Sequence, residues 1–265
     1  MKYLRNILVA LAVFAALIMA LLWFLPARWA LPWIEPQLHG LRLQQVHGSV
    51  WEGDAGELIG VEGQRLGQLH WRLSRRALLG DVQLQLAFDG PQTGFSGELR
   101  RLPDSRIAAD NWRLHADLAV LNMDTPSPWG RPLGELQLSV EHVLLQGGWP
   151  LQLQAHGRWQ HAAVQTGQGD VALGDMQLEA QAQGGMIQAQ WHDVGSGPLQ
   201  ANGELQLSPL GWRLDTTLRA RQTDPALQGW LARLGPVSAD GSVHIRQSGG
   251  LAGPAPSTDR GITPP

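Results

Sequence analysis

Apolar and polar residues alternate one by one through most of this chain, and that period of two constrains its fold more than any other feature. Val82-Gln83-Leu84-Gln85-Leu86-Ala87-Phe88 is one clean run. Leu136 to Glu141, Leu151 to Ala155, Met176 to Gln181, Ile187 to Trp191, Leu205 to Leu207 and Val243 to Arg246 repeat it. Successive side chains of a strand point to opposite faces, so each run has one face to bury and one to leave wet. Such strands belong in antiparallel sheets, because parallel strands are buried on both faces. The fold class read from the pattern is therefore all-β.

Turn residues separate the runs: Asp89-Gly90-Pro91, Gly147-Gly148, Gly184-Gly185, Gly195-Ser196-Gly197-Pro198 and Asn202-Gly203. Asn202-Gly203 is the pair that a tight type I′ hairpin prefers. The spacing predicts roughly 12–14 strands over residues 41–247, in a single domain. So many strands must curl, close or split, and a sandwich, a barrel or an open trough would each serve. One helix is predicted near the end, from Thr223 to Gly235. An N-cap Thr or Asp precedes Pro225, and Leu227, Trp230, Leu231 and Leu234 share a face. A short turn is expected around Leu73 to Leu79. Residues 248–265 are rich in Gly, Pro and Ser and are expected to be disordered.

The start of the chain has a different pattern. Ile7 to Leu25 holds no charged or polar residue, and as a helix it would be about 28 Å long, close to the hydrocarbon thickness of a bilayer. Trp23, Trp29 and Trp33 follow where an aromatic belt would sit. A cleaved signal peptide would have a shorter apolar core and a small-residue cleavage site. The segment is read as an uncleaved transmembrane helix, residues 7–25. Pro26, Pro32 and Pro36 then make residues 26–40 an extended exit segment. Lys2 and Arg5 lie before the span and Arg28 alone closely follows it, which puts residues 1–6 on the cytoplasmic side. Trp23 and Trp29, with Lys2 and Arg5, are the expected interface anchors.

Little in the sequence suggests chemistry. The chain has 265 residues, no cysteine and a formal net charge of -3. That excludes disulfides, thiolate nucleophiles and cysteine-based metal sites, and provides no basic footprint for nucleic acid. The phosphate-binding glycine loops and the serine nucleophile elbow are absent. The nine histidines stand where glutamines stand elsewhere and are read as solvent-facing strand positions, not metal ligands. Ser49 and Ser196 have no base nearby in sequence, and Glu52 with Asp54 is read as turn polarity rather than a carboxylate pair. The 12 tryptophans are dispersed, which points to sheet packing before a ligand platform. No cofactor is expected.

One order of motifs resembles a known family. His47-Gly48-Ser49-Val50-Trp51-Glu52-Gly53-Asp54-Ala55 follows the apolar run and its exit. Then come Leu66-Gly67-Gln68-Leu69-His70-Trp71-Arg72-Leu73 and Leu78-Leu79-Gly80-Asp81. With the helix Leu227–Leu234, Gly235 and Ala239-Asp240-Gly241-Ser242-Val243, this resembles the type II secretion system protein N family over residues 1 to about 247. The resemblance implies a single-pass protein of the bacterial inner membrane with a periplasmic domain. Its implied role is accessory, within the apparatus that exports folded proteins across the outer membrane. The implied partners are the secretin and other inner-membrane secretion proteins. A distant similarity to the AsmA-like group favours one large, curved, open trough or half-barrel, with lipid as a further partner. Gly48, Trp51, Gly53 and Trp71 become the structural motif: Trp51 anchors the first turn over the core, and the glycines permit positive φ. Three functions follow: a non-enzymatic secretion component, a lipid-binding groove, and an enzyme built from distant residues, which no motif supports.

Overall fold

The computed structural model describes residues 23–34, 38, 40–61, 63–120 and 129–250. Contacts gather the chain into two compact units, residues 1–116 and 117–265.

The first unit holds a helix, α1 (Ala27–Ile34), and six strands. These are β1 (Arg42–Gly48), β2 (Glu52–Ile59), β3 (Arg65–Leu73), β4 (Gln83–Asp89), β5 (Thr93–Arg101) and β6 (Ile107–Asp117). Each pairs antiparallel with the next. Directly paired residues share a face. The register therefore lines up Ala55, Leu69, Phe88, Phe95 and Leu114 as one apolar row across five strands. The Phe88 and Phe95 rings stack at 5.4 Å, and Phe95 on Trp112 at 5.8 Å. The expected turn near Leu79 is a 3₁₀ helix, Arg75–Leu79, capped by Ser74 and closed by a left-handed Gly80.

The exit segment differs from its expected form: Ala27–Ile34 is helical, not extended. Pro26 stands just before the first turn, where a missing N–H costs nothing. Pro32 is tolerated inside a helix this short because the bond it removes is one of few. No helix among the described residues is long and apolar enough to cross a membrane. The span read at 7–25 lies outside those residues apart from Trp23, Phe24 and Leu25, and Lys2 and Arg5 lie outside them altogether.

The second unit holds β7 (Arg131–Gln146), β8 (Trp149–Thr166), β9 (Gly169–Gln183), β10 (Met186–Asp193), β11 (Leu199–Ser208), β12 (Gly211–Ala220) and β13 (Ser242–Gly250). The helix α2 (Pro225–Leu234) lies between β12 and β13. Pairing is again antiparallel between neighbours. The strands thus number thirteen among the described residues, inside the expected range. β7, β8 and β9 are longer than the spacing implied, since bulges carry the chain through what looked like breaks.

One turn assignment fails. Asn202-Gly203 is not a hairpin: both residues sit within β11, opposite His192 and Trp191 on one side and Thr217 and Thr216 on the other. Glycine is there because the Trp191 ring occupies the space a Cβ would need. β13 also continues to Gly250, paired with Gly211, so the ordered chain passes the boundary drawn at 247. The rest of the tail lies outside the described residues.

The core of the second unit lies under α2. Asp224 Oδ1 accepts from the Ala226 N–H at 2.9 Å, capping the helix. Leu227, Trp230 and Leu231 are buried on one face, as the spacing predicted. They join a cluster with Ala162, Val164, Leu173, Leu199, Leu218 and Val243. Farther along the same face, Ala155, Ala180, Ala189, Leu205 and Leu214 form a row that is only half-buried. The opposite face is polar: Gln154, Gln181, Gln188, Gln206 and Arg213 stand side by side across five strands.

Candidate functional site

The motif residues converge on the β1–β2 turn. Ser49 N–H donates to the Glu52 carbonyl at 2.8 Å. Ser49 Oγ accepts from the N–H groups of Trp51 and Glu52 at 3.2 and 3.1 Å. The hydroxyl thus stitches its own turn together. Gly48 has φ +85°, and a Cβ there would meet the Glu52 carbonyl oxygen at 2.5 Å. Here glycine is required on both counts. Trp51 is 5% exposed, and its carbonyl accepts from Leu73 N–H at 2.6 Å. Thus Trp51 joins the turn to β3.

Gly53 has a different reason from the one expected. Its φ is not positive. It faces Trp71 in register, and an added Cβ would lie 2.5 Å from Trp71 Cζ2 and 2.6 Å from the His47 carbonyl oxygen. The indole lies over the glycine, and its Nε1–H donates to the Ser49 carbonyl at 3.1 Å. Gly48, Trp51, Gly53 and Trp71 therefore form one local device that fixes the first hairpin against the third strand.

The same device recurs, and reading the tryptophans singly had hidden it. The Trp112 ring covers Gly97 and donates to Glu98 O at 3.0 Å. Trp191 covers Gly203, and Trp212 covers Gly249. An aromatic ring over a cross-strand glycine restores the packing that glycine lacks. For Gly53 with Trp71 and Gly203 with Trp191 the sequence signal was a Gly and a Trp at equal distances from one hairpin, visible only once the register is known.

A depression of about 580 Å³ lies on this sheet, lined by Gly48, Gly53 and Trp71 of the motif. Most of its polar side chains come from two register rows, Glu52–Arg72–Gln85–Glu98 and Asp54–His70–Ala87–Ser96, with Asn111 beside them. Arg72 Nη2 donates to Glu52 Oε1 at 2.7 Å. That hydrogen bond, then the guanidinium charge, holds the Glu52 carboxyl below its usual range. Asp54 lies 3.7 Å from His47. Glu52 and Asp54 thus have different partners, Arg72 and His47. Shared charges and hydrogen-bonding groups on an open sheet suit contact with another polar surface. A smaller depression of about 290 Å³ lies on the glutamine-rich face of the second unit. Among the described residues no group of three His, Asp or Glu could hold a metal.

The most heavily bonded charge was not foreseen. Asp193 ends β10 with its side chain 7% exposed. Its carboxylate accepts from Ala201 N–H at 2.8 Å, Gly195 N–H at 2.8 Å and Arg221 Nη2 at 2.5 Å. Burial raises its pKa, but these bonds outweigh burial and hold it below the usual carboxylate range. The cluster closes the β10–β11 connection.

Trp23 and Trp29, expected at a membrane interface, are 45% and 57% exposed. The Arg75 guanidinium lies 4.8 Å from the centre of the Trp23 ring.

Comparison with known proteins sets this geometry in context. The family model for type II secretion system (T2SS), protein N, matches residues 39–246. The chain belongs to that family. The match starts just before β1 and ends inside β13, so it takes in the hairpin device, both units and α2. A relative named type II secretion system protein N, from Aeromonas hydrophila, is 26% identical over 218 residues, covering 77% of this chain and 82% of the relative. No solved structure matches. Family membership makes the chain a type II secretion component acting with other proteins of that system.

Proposed function

We propose that the chain is an accessory inner-membrane component of the type II secretion system. In this reading residues 7–25 cross the membrane with Lys2 and Arg5 on the cytoplasmic side. Both sheet units lie in the periplasm and contact the secretin or other inner-membrane secretion proteins. The family match over residues 39–246 carries the proposal. The apolar run ahead of it supports the placement. The role is assembly or contact, without a catalytic step or a cofactor. In support, Ser49, Glu52 and Asp193 are each engaged in holding backbone or a neighbouring side chain.

A clean deletion strain tests it. Secreted proteins should accumulate in the periplasm and be released again when the gene is restored. Normal secretion from the deletion strain would overturn the proposal. Because the chain has no cysteine, a cysteine placed on either unit should react with a membrane-impermeant maleimide added from the periplasmic side.

A second reading is favoured by one observation. The row Ala155, Ala180, Ala189, Leu205 and Leu214 is apolar and half-buried, beyond the reach of α2. A lipid acyl chain could lie along it, making the protein an AsmA-like groove that binds or guides lipid. A photoreactive residue at Ile187, on the same face, should then crosslink to phospholipid. If it crosslinks only to protein, this second reading fails.

A further inference from the structure

The 3₁₀ turn Arg75–Leu79 exposes apolar side chains that no packing in the structure explains. Leu79 is 90% exposed and Leu78 48%. None of the turn's residues is buried. Yet the turn is firmly built. Ser74 Oγ accepts from Arg76 N–H at 3.2 Å, and Gly80, at φ +94°, donates to Ala77 O at 3.1 Å. Leu79 stands almost wholly in water and Leu78 is half covered, so the capped turn gains little in folding from its tip.

Its surroundings indicate a use for that tip. An antiparallel meander puts alternate connections at the same end of the sheet. The β1–β2 turn and the β3–β4 connection therefore share one end. The end of the apolar run is tied there too: Val50 N–H donates to Leu25 O at 3.0 Å, and Pro26 bridges to Ser49. Arg75 lies over the Trp23 ring. The turn itself carries Arg75 and Arg76 and no acid. Glu52 is paired with Arg72, and Asp81, beyond the turn, accepts from Gln83 Nε2 at 3.3 Å and keeps its charge. Two leucines, two arginines and a tryptophan on one edge match the layered chemistry of a bilayer interface. Apolar tips enter the acyl boundary, the indole sits at headgroup depth and guanidiniums meet phosphates.

We propose that the Arg75–Leu79 turn is a second membrane contact, inserting Leu78 and Leu79 into an anionic phospholipid surface while Arg75 and Arg76 bind its phosphates. This rests on the reading of residues 7–25 as a membrane anchor and adds what the anchor alone does not: a fixed tilt of the first unit against the bilayer. A second contact holds the depression beside Gly48 and Trp71 at a set height.

The test uses the full chain in lipid nanodiscs. Since the chain lacks cysteine, Leu79→Cys and Phe24→Cys each take one environment-sensitive fluorophore. Both side chains are mostly exposed, so neither change removes packing. In discs containing phosphatidylglycerol, the Leu79 label should shift its emission to the blue and be quenched by lipids brominated near the top of the acyl chains. Replacing Arg75 and Arg76 by Ala should lower the ratio of docked to undocked label about fivefold per arginine. If the Phe24 label is quenched and the Leu79 label stays water-like, the turn proposal is overturned and the anchor stands. If neither is quenched, the anchor reading falls and takes the turn with it. Equal quenching in purely zwitterionic discs, unaffected by the arginine changes, would overturn the anionic-surface assignment.

Discussion

Gly53→Ala should destabilise the first hairpin, although its backbone conformation is open to any residue. The new methyl would stand 2.5 Å from Trp71 Cζ2 and 2.6 Å from His47 O. The ring could tilt aside only by straining its 3.1 Å bond to Ser49 O. The carbonyl belongs to a paired strand and cannot move without breaking register. Overpacking of this kind costs about 2 kcal/mol. Trp71→Ala, which loses the half-buried ring and its hydrogen bond, should cost a similar amount. The two are coupled through one contact, so the double variant should fall short of the sum by about 1 kcal/mol. Hydrogen exchange of β2 and β3 peptides in the full chain reads this locally. A 2 kcal/mol loss speeds exchange roughly thirtyfold. Peptides from β10 to β12 should not change. Exchange within about twofold of the parent for Gly53→Ala, or strict additivity in the double variant, would refute the argument that the ring dictates the glycine.

Two further outcomes follow from the second unit. Leu227→Ala, at a fully buried position under α2, should cost about 2–5 kcal/mol and lower the melting temperature of that unit; a change under about 1 kcal/mol would mean the helix does not seal the core. Asp193 should make the β10–β11 connection acid-sensitive. Its carboxyl is held below its usual range in the folded state, so its contribution is complete above about pH 4 and is lost as the pH falls through the folded value. Asn at this position should remove that increment, so the gap between parent and variant melting temperatures should narrow as the pH falls below about 4. Parallel curves would contradict the assignment.

How far the sequence could be read depended on the scale of the cause. Alternation such as Leu84, Leu86, Phe88 encodes which face is buried, and that passes directly into the register rows. Pro225, Leu227, Trp230 and Leu231 encode α2 through helical spacing and an N-cap. Both signals are local. Gly203 misled because a glycine in a strand can mean a turn or a ring lying overhead, and Trp191 is distant in sequence. The exit segment misled through Pro32, which a short helix can absorb. Of the motif, Gly48 and Trp51 were legible as turn and anchor, whereas the cause of Gly53 lies on β3. The bonds around Asp193 draw on Gly195, Ala201 and Arg221, which come together only when three strands are in register. Leu78 and Leu79 were legible as a family motif, but their exposure was not.

The central claim is that this chain works inside the secretion apparatus, held at the inner membrane with its sheets in the periplasm. Photo-crosslinking in living cells tests it most directly, with photoreactive residues at exposed positions of both units and the products identified by mass spectrometry. The account predicts crosslinks to the secretin or to inner-membrane secretion proteins. Crosslinks confined to phospholipid or lipopolysaccharide, with no secretion protein among the products, would contradict it and leave the lipid groove as the better reading.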